Sequence, residues 1–190
     1  MSTRIQGVQP KEYNGITYRS TLEADTARVL DDLHIPFEYE SRKIVLQEGF
    51  RCPYQKKKVI AVTYTPDFII GPIMLECKGF ETPEWKIKKK LLFKWLSEND
   101  PYTIFYQIGD ARKQLIEALD NHWGTIGYCI EVTSKPSKKK TAETFTYESV
   151  QQAMYDLGLT GKNIGPIIKA LTGEKEYVYG YNWKLVKLKL

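Results

Sequence analysis

The sequence predicts an α/β fold, with a mixed central β-sheet flanked by helices and a small α-helical module behind it. Between residues 20 and 132, segments with helical apolar periodicity alternate with short segments rich in β-branched and aromatic residues. After residue 143 the pattern becomes mainly helical. A chain of 190 residues, 42% of them hydrophobic, is long enough for one core and a small appendage.

The predicted elements of the first part follow from local signals. Leu22, Val29, Leu30 and Leu33 form the apolar stripe of a first helix. Thr82 and Pro83 are typical of an N-cap and a first helical position, and they start a second helix. The predicted order is a helix over 19–33, strands over 37–46, 59–64 and up to residue 78, a helix from residue 82 to about 97, a strand over 102–106, a helix over 110–121 and a strand over 126–132.

A polar, basic and proline-containing stretch predicts a linker over 133–143, between a domain of residues 1–132 and a module of residues 144–190. In the module we expect a helix over 145–158 with a threonine cap and a glycine stop. A second helix contains Ile164, Ile167, Ile168 and Leu171. Pro166 requires that this helix begins late, at Gly165, or is kinked. Trp183 and Tyr181 in the aromatic tail are expected to close a minimal core.

Composition excludes several classes of protein. No apolar run approaches the ~20 residues of a membrane span, and the N-terminus lacks the apolar core of a secretory signal. Cys52, Cys77 and Cys129 are scattered, which argues against a disulfide framework. With His34 and His122 also isolated, the chain has no zinc ligand set, and we expect a reducing cytoplasm.

The net charge is +5, and residues 133–190 alone carry ten basic and five acidic side chains. This distribution favours binding to a polyanion, with an affinity that falls as salt rises. A moderate excess of lysine is also ordinary surface chemistry, so charge alone indicates little.

The most informative motif is Pro66-Asp67, a short spacer with a Gly71-Pro72 turn, and then Glu76-Cys77-Lys78. In a strand, residues two apart point to the same face, so Glu76 and Lys78 emerge side by side. Glu76 follows Ile73-Met74-Leu75 and Asp67 precedes Phe68-Ile69-Ile70, so each of these acids interrupts an apolar strand that would be more stable without a charge. Two convergent carboxylates suit Mg²⁺, which keeps several waters for a phosphate-bearing substrate. The alternative is turn chemistry at Asp67 and a solvated pair on the strand.

Glu23 is a candidate third carboxylate on the first helix. Its spacing from Ala27 and Leu30 places it at the edge of the inward face. The pattern Ser20-x-x-Glu23 is also a capping box, in which the glutamate satisfies a main-chain N–H. The two roles compete for the same carboxylate.

These residues resemble the PD-(D/E)xK nuclease superfamily. The strings Tyr64–Phe68 and Gly79–Phe93 are similar to bacteriophage-borne endonucleases related to junction-resolving enzymes, and the likeness covers residues 18–106. It implies a restriction-endonuclease-like core, with Asp67, Glu76 and the carbonyl of Cys77 holding Mg²⁺, for which Mn²⁺ would substitute. It also implies that Glu23 joins a second ion or its waters, and that Lys78 orients the attacking water.

Several basic residues are candidate DNA contacts. Lys86, Lys90 and Lys94 form a stripe on the helix after the motif, opposite the predicted apolar side of Ile87, Leu91 and Trp95. The alternative for this stripe is a solvated helix face. Lys57 lies in a segment over 47–58 that looks enlarged relative to the family, either a DNA-facing loop or an insertion of no consequence.

The last part of the chain resembles the helix-turn-helix repeats of intron-encoded homing endonucleases. The likeness rests on an alanine-containing helix, a second helix, a Gly-Glu-Lys segment and the terminal Gly180-Tyr181-Asn182-Trp183-Lys184. It implies that Lys162, Asn163 and Lys169 face DNA, with the second helix in the major groove.

The sequence therefore predicts a magnesium-dependent endodeoxyribonuclease that acts on double-stranded or branched DNA. Phage origin would place it in the cytoplasm of a bacterial host. Cutting both strands with one site per chain favours a homodimer. A site-preferring enzyme of the homing or recombination type and a branched-DNA resolvase both stay open. Two other classes also stay open: a non-catalytic DNA-binding protein on a nuclease scaffold, and a transposon-end nuclease subunit whose C-terminal part docks a protein.

Overall fold

The computed structural model describes residues 9–54, 56–138 and 140–188, which contain five α-helices and both parallel and antiparallel strands. The predicted α/β class is confirmed at this level. Gln55 of the basic stretch and Lys139 of the predicted linker lie outside the described residues. No helix in the described ranges is long and apolar enough to cross a membrane.

The elements follow one another along the chain as β1 (Lys11–Tyr13), β2 (Ile16–Tyr18), α1 (Thr21–Asp32), β3 (Glu38–Tyr39), β4 (Ile44–Gln47), β5 (Val62–Tyr64), β6 (Phe68–Ile70), β7 (Ile73–Cys77), α2 (Pro83–Asn99), β8 (Ile104–Ile108), α3 (Lys113–Leu119), a 3₁₀ turn (Gly124–Ile126), β9 (Tyr128–Ser134), β10 (Thr144–Tyr147), α4 (Val150–Asp156), α5 (Gly165–Leu171) and β11 (Tyr181–Lys187). They form two compact units. The central unit comprises residues 37–109, and the terminal unit comprises the described parts of 1–36 and 110–190.

The central unit is built on a four-stranded mixed sheet in the order β3-β6-β7-β8. A tight turn at Gly71 joins β6 to β7 in an antiparallel hairpin, and α2 connects β7 to the parallel strand β8. Strands β4 and β5 form a separate antiparallel ladder. A cluster of buried side chains spans both ladders and α2, and its members are Ile44, Tyr64, Met74, Trp85, Leu92 and Leu96.

Helix α2 begins where the sequence predicts. The Thr82 hydroxyl accepts the main-chain N–H of Trp85 at 3.1 Å, and Pro83 occupies the first turn. The predicted inward side is wrong at Ile87, which is 64% exposed. The helix buries Trp85, Leu92 and Leu96 instead, a stripe that starts two residues earlier. This side of α2 is buried because it packs against the apolar side chains of β4, β5 and β7. The lysine-rich sequence of the helix is compatible with either apolar side and does not distinguish between them.

The terminal unit contains a three-stranded antiparallel sheet in the order β10-β9-β11. Residues 145–147, predicted to be helical, belong to strand β10 because they pair with β9. Ser149 rather than a threonine caps α4. Strand β9 extends to Ser134, into the predicted linker. Because β9 pairs along its whole length with β11, the compact unit has different bounds from the predicted domains of residues 1–132 and 144–190.

The last two helices are short. Helix α4 packs on β9 and β10, and α5 packs on β11 and α3. Helix α5 begins at Gly165 with Pro166 in its first turn, so the late start predicted from Pro166 is confirmed. Trp183 is 1% exposed and donates its indole N–H to the carbonyl of Val178 at 3.1 Å, which confirms its packing role.

Candidate active site

Glu76 is a buried carboxylate on β7, held by two side chains of the central unit. Its Oε2 accepts the hydroxyl of Tyr64 at 2.9 Å, and its Oε1 lies 3.7 Å from the Nζ of Lys78. The side chain of Glu76 is only 8% exposed, whereas that of Lys78 is 32% exposed. A buried carboxylate needs such partners to offset its desolvation. The strand periodicity that placed Glu76 beside Lys78 is therefore confirmed.

Asp67 lies next to the same strand. Its Oδ2 accepts the main-chain N–H of Cys77 at 2.7 Å, at the end of the β6–β7 ladder. The register pairs Phe68 with Leu75, and one more step of that register places Asp67 opposite Glu76. The structure thus brings Asp67, Glu76, Cys77 and Lys78 together in the central unit.

The environment of Glu76 is apolar on its inner side. Met74 precedes it on the same face of β7 and belongs to the buried cluster with Tyr64 and Trp85. Burial, together with the charge of Glu76, raises the pKa of Tyr64 far above the usual tyrosine value. Tyr64 therefore remains a protonated donor at neutral pH. The contact between Tyr64 and Glu76 was not predicted, because no sequence pattern relates residues twelve positions apart on different strands.

Through Trp85, Lys78 is linked to a second group of side chains. Its amine lies 5.1 Å from the centre of the Trp85 ring, within the range of a cation–π contact. The indole of Trp85 donates to the side-chain oxygen of Gln107 at 2.9 Å, and Lys89 contacts the same oxygen at 3.2 Å. Lys89 also forms an ion pair with Glu81. These contacts fix the indole ring beneath the amine.

Gln107 was also missed, because its position depends on strand pairing. Residue 107 is paired with residue 76 in the parallel ladder of β7 and β8. Paired residues of neighbouring strands share a face of the sheet. The local sequence around Gln107 carries no motif, so only the pairing of β7 with β8 reveals it.

The ion pair between Lys89 and Glu81 gives a pH prediction. The hydrogen bond from Lys89 holds the pKa of Glu81 below its usual value. A lowered pKa means that the stabilising contact is present at neutral pH and is lost as the pH falls through that pKa. We expect Lys89→Met to raise the pKa of Glu81 towards the ordinary glutamate value, measured by carboxyl ¹³C NMR titration. Lys94→Met is the control, because the Lys94 amine pairs with Glu98, at 3.9 Å, and is not a partner of Glu81. An unchanged titration of Glu81 in Lys89→Met would contradict the assignment.

Glu23 belongs to the terminal unit and forms a capping box. One of its carboxylate oxygens accepts the Ser20 hydroxyl at 2.7 Å, and the other accepts the main-chain N–H of Arg19 at 3.1 Å. The Ser20 hydroxyl in turn accepts the Glu23 N–H at 3.2 Å. The capping role predicted as the alternative is confirmed, and it uses both carboxylate oxygens.

The donors available to a divalent cation are oxygen atoms. Asp67 and Glu76 supply carboxylates, and Cys77 supplies a main-chain carbonyl, which are the hard ligands that Mg²⁺ prefers. Within residues 9–54, 56–138 and 140–188, no group of three or more acidic, cysteine or histidine side chains converges as a metal site. Mg²⁺ with several waters requires only one or two carboxylates, so the donor chemistry of the central unit fits this ion.

The predicted DNA-contacting residues are all exposed. Lys86 and Lys90 lie on the outer side of α2, and Lys57 lies in the loop between β4 and β5. Lys162 and Asn163 lie in the connection between α4 and α5, and Lys169 lies in the last turn of α5. The side chain of Asn163 also accepts the N–H of Gly165 at 2.9 Å, which shapes the entry into α5.

No family model, curated protein or solved structure matches this chain. The resemblance to PD-(D/E)xK nucleases therefore depends on the residues that carry it. The function has to be inferred from the contacts of Asp67, Glu76 and Lys78 and from the chemistry that they permit.

Proposed function

We propose that this protein is a magnesium-dependent DNA endonuclease that hydrolyses phosphodiester bonds and is encoded by a phage. The observation that carries the proposal is the buried Glu76 carboxylate, which lies 3.7 Å from the Lys78 amine. The carboxylate of Asp67 lies nearby and accepts the main-chain N–H of Cys77, the residue between Glu76 and Lys78. A purely structural ion pair would be better placed at the surface, because burying Glu76 costs free energy. Charged groups kept at such a cost are typical of functional sites.

In this proposal Asp67, Glu76 and the carbonyl of Cys77 hold Mg²⁺, and Mn²⁺ substitutes for it. When bound, the ion would act as a Lewis acid that activates water and neutralises charge on the phosphate. Tyr64 fixes the orientation of Glu76 by donating to one of its oxygens. Glu76 and Asp67 would each supply a carboxylate oxygen to the ion.

Lys78 has the role of orienting and deprotonating the attacking water. Its amine is confined between the Glu76 carboxylate and the Trp85 ring. Confinement in one position contributes to rate because the reacting groups need not be brought together at the moment of reaction. Glu23 remains a candidate for a second ion or its water shell, but it would have to leave the hydrogen bonds of its capping box.

The fold proposed for this function is a restriction-endonuclease-like core. In the central unit, Asp67, Glu76 and Lys78 lie at the ends of β6 and β7 of the mixed sheet, and α2 follows β7, which supports that comparison. Helices α4 and α5 are proposed to act as a helix-turn-helix, with Lys162, Asn163 and Lys169 facing DNA. Lys57, Lys86 and Lys90 are proposed to bind phosphates, which fixes the position of the DNA without reading its sequence.

One observation favours a second candidate, a DNA-binding protein without catalysis. Both oxygens of Glu23 are engaged in capping, which leaves two carboxylates in the candidate site. A scaffold that has lost its third acid would retain the basic surface and bind DNA.

Cleavage assays separate the two candidates. The intact protein is incubated with supercoiled plasmid and with linear, nicked and four-way DNA, in Mg²⁺ and in EDTA. The proposed enzyme nicks or cuts at least one substrate in Mg²⁺ and none in EDTA. Binding without cleavage in Mg²⁺ or Mn²⁺ would leave only the non-catalytic candidate. Cleavage confined to four-way DNA would indicate a resolvase, and cleavage at one plasmid site would indicate a site-preferring enzyme.

A further inference from the structure

Strands β4 and β5 continue beyond their ladder into a hairpin, here called the hairpin arm and defined as the described residues 47–54 and 56–62. Phe50 and Val59 exchange two main-chain hydrogen bonds at 2.9 and 2.8 Å. A Cβ added at Gly49 would lie 3.0 Å from the carbonyl oxygen of Val59 and 3.1 Å from the nitrogen of Ala61. The glycine therefore permits the close approach of the two strands, and the base of the arm is an ordered structure.

The surface of the arm combines positive charge with exposed aromatic and apolar side chains. The sequence of the arm includes four basic residues and one acidic residue, Glu48. Tyr54 is 95% exposed, and Ile60 is 81% exposed. The basic residues Arg51, Lys56, Lys57 and Lys58 are also exposed. A solvated loop does not require an aromatic ring at its end, whereas a surface that binds single strands combines cations with such rings.

The arm is joined directly to the candidate active site. Its second strand leads into β5, which ends at Tyr64, and Tyr64 donates to Glu76. The six residues from Val59 to Tyr64 are separated by five steps, so the base of the arm lies at most about 18 Å from Tyr64. That length corresponds to about five nucleotides of a B-form strand. A DNA strand cut beside Glu76 would therefore have its nearby nucleotides within reach of the arm.

We propose that the hairpin arm binds unpaired DNA next to the cleaved bond, with a base stacked on Tyr54 and phosphates bound by Arg51 and Lys56–Lys58. The inference rests on the proposed nuclease function and specifies its substrate class as DNA with a single-stranded segment. Lysines alone would bind paired and unpaired DNA alike, because both carry phosphates. The exposed ring makes the difference, because only an unpaired base offers its face for stacking on a side chain.

Binding measurements on the full chain test the proposal. In EDTA, fluorescence anisotropy compares a blunt duplex with the same duplex carrying an eight-nucleotide single-stranded extension. We expect Tyr54→Ala to weaken binding to the extended DNA by about 5- to 150-fold, the range that corresponds to loss of one base–aromatic stack. Binding to the blunt duplex should change less than about twofold, and Tyr54→Phe should restore the affinity.

A matched control is Tyr102→Ala. Tyr102 is 88% exposed in the turn before β8, and it should have no effect on either DNA. A 2-aminopurine in the extension reports stacking directly, since its fluorescence is quenched against an aromatic ring. We expect this quenching with the natural protein and with Tyr54→Phe, and its absence with Tyr54→Ala.

The proposal is overturned if Tyr54→Ala behaves like Tyr102→Ala, if it weakens blunt and extended DNA equally, or if the natural protein does not bind extended DNA more tightly than blunt. The nuclease function is tested separately. Tyrosine-dependent binding without cleavage in Mg²⁺ would retain the arm's role and reject the enzyme. Cleavage in Mg²⁺ that is indifferent to Tyr54 would retain the enzyme and reject the arm's role.

Discussion

Replacing Lys78 by alanine is expected to abolish Mg²⁺-dependent cleavage while leaving the fold and DNA binding in place. The substitution removes the amine that lies 3.7 Å from Glu76 and is confined against Trp85. Uncatalysed phosphodiester cleavage is so slow that loss of a group acting on the attacking water should reduce the rate by about three powers of ten or more. Each power of ten corresponds to about 1.4 kcal/mol of barrier.

The fold should survive because Glu76 keeps its second partner. Tyr64 still donates to Oε2 in this variant, so the carboxylate is not left without a hydrogen bond. We expect the free energy of unfolding to fall by no more than about 2 kcal/mol, measured by urea titration.

Two matched variants make the experiment specific. Lys43→Ala removes an exposed lysine of the same unit and should leave the cleavage rate within about twofold. Lys78→Arg supplies a group that stays protonated and therefore cannot accept the proton of the attacking water. A low rate in Lys78→Arg would support a role in deprotonating water. Full activity in Lys78→Ala would reject the assignment of the site.

Replacing Asp120 by alanine is expected to cause the largest loss of stability in the terminal unit. Asp120 is fully buried, and its carboxylate accepts the indole N–H of Trp123 at 2.9 Å and the main-chain N–H groups of Val150 and Gln151 at 2.7 and 3.1 Å. The last two lie in the first turn of α4. A negative charge at a helix N-terminus is stabilising. Alanine would leave all three donors without this acceptor.

The expected cost is about 3–5 kcal/mol, because each buried donor that loses its acceptor costs about 1–3 kcal/mol. Urea unfolding followed by tryptophan fluorescence measures it, since Trp123 is itself buried against the carboxylate. Asp120→Asn retains one oxygen acceptor and should lose less. Asp156→Ala is the control, because Asp156 is an exposed acid at the other end of α4. If Asp120→Ala lowered the free energy of unfolding by less than about 1 kcal/mol, the proposed role of Asp120 would be contradicted.

This second prediction bears on the proposed helix-turn-helix. Helix α4 is held by Asp120 from outside residues 144–190, and strand β11 is paired with β9 over seven residues. The DNA affinity of α4 and α5 is therefore best measured in the intact chain. Variants at Lys162 or Lys169 serve that purpose, because both side chains are exposed.

The sequence by itself determined features that depend on residues within about four positions of one another. The start of α2 at Thr82 and the late start of α5 at Pro166 follow from capping and from the missing N–H of proline. The common face of Glu76 and Lys78 follows from the two-residue period of a strand. The capping box of Glu23 was visible as one of two roles.

Only the tertiary structure decided which distant residues meet. In the folded chain, Tyr64 is hydrogen-bonded to Glu76, and Gln107 is paired with Glu76 in the β7–β8 ladder. Ile87 of α2 is exposed, and residues 144–147 form a strand. Strand pairing and burial are set by partners dozens of residues away, and their free energies outweigh local propensities of a few tenths of a kcal/mol. For this reason the pair of Glu76 and Lys78 was predictable from its spacing, whereas the contacts of Tyr64 and Gln107 were not.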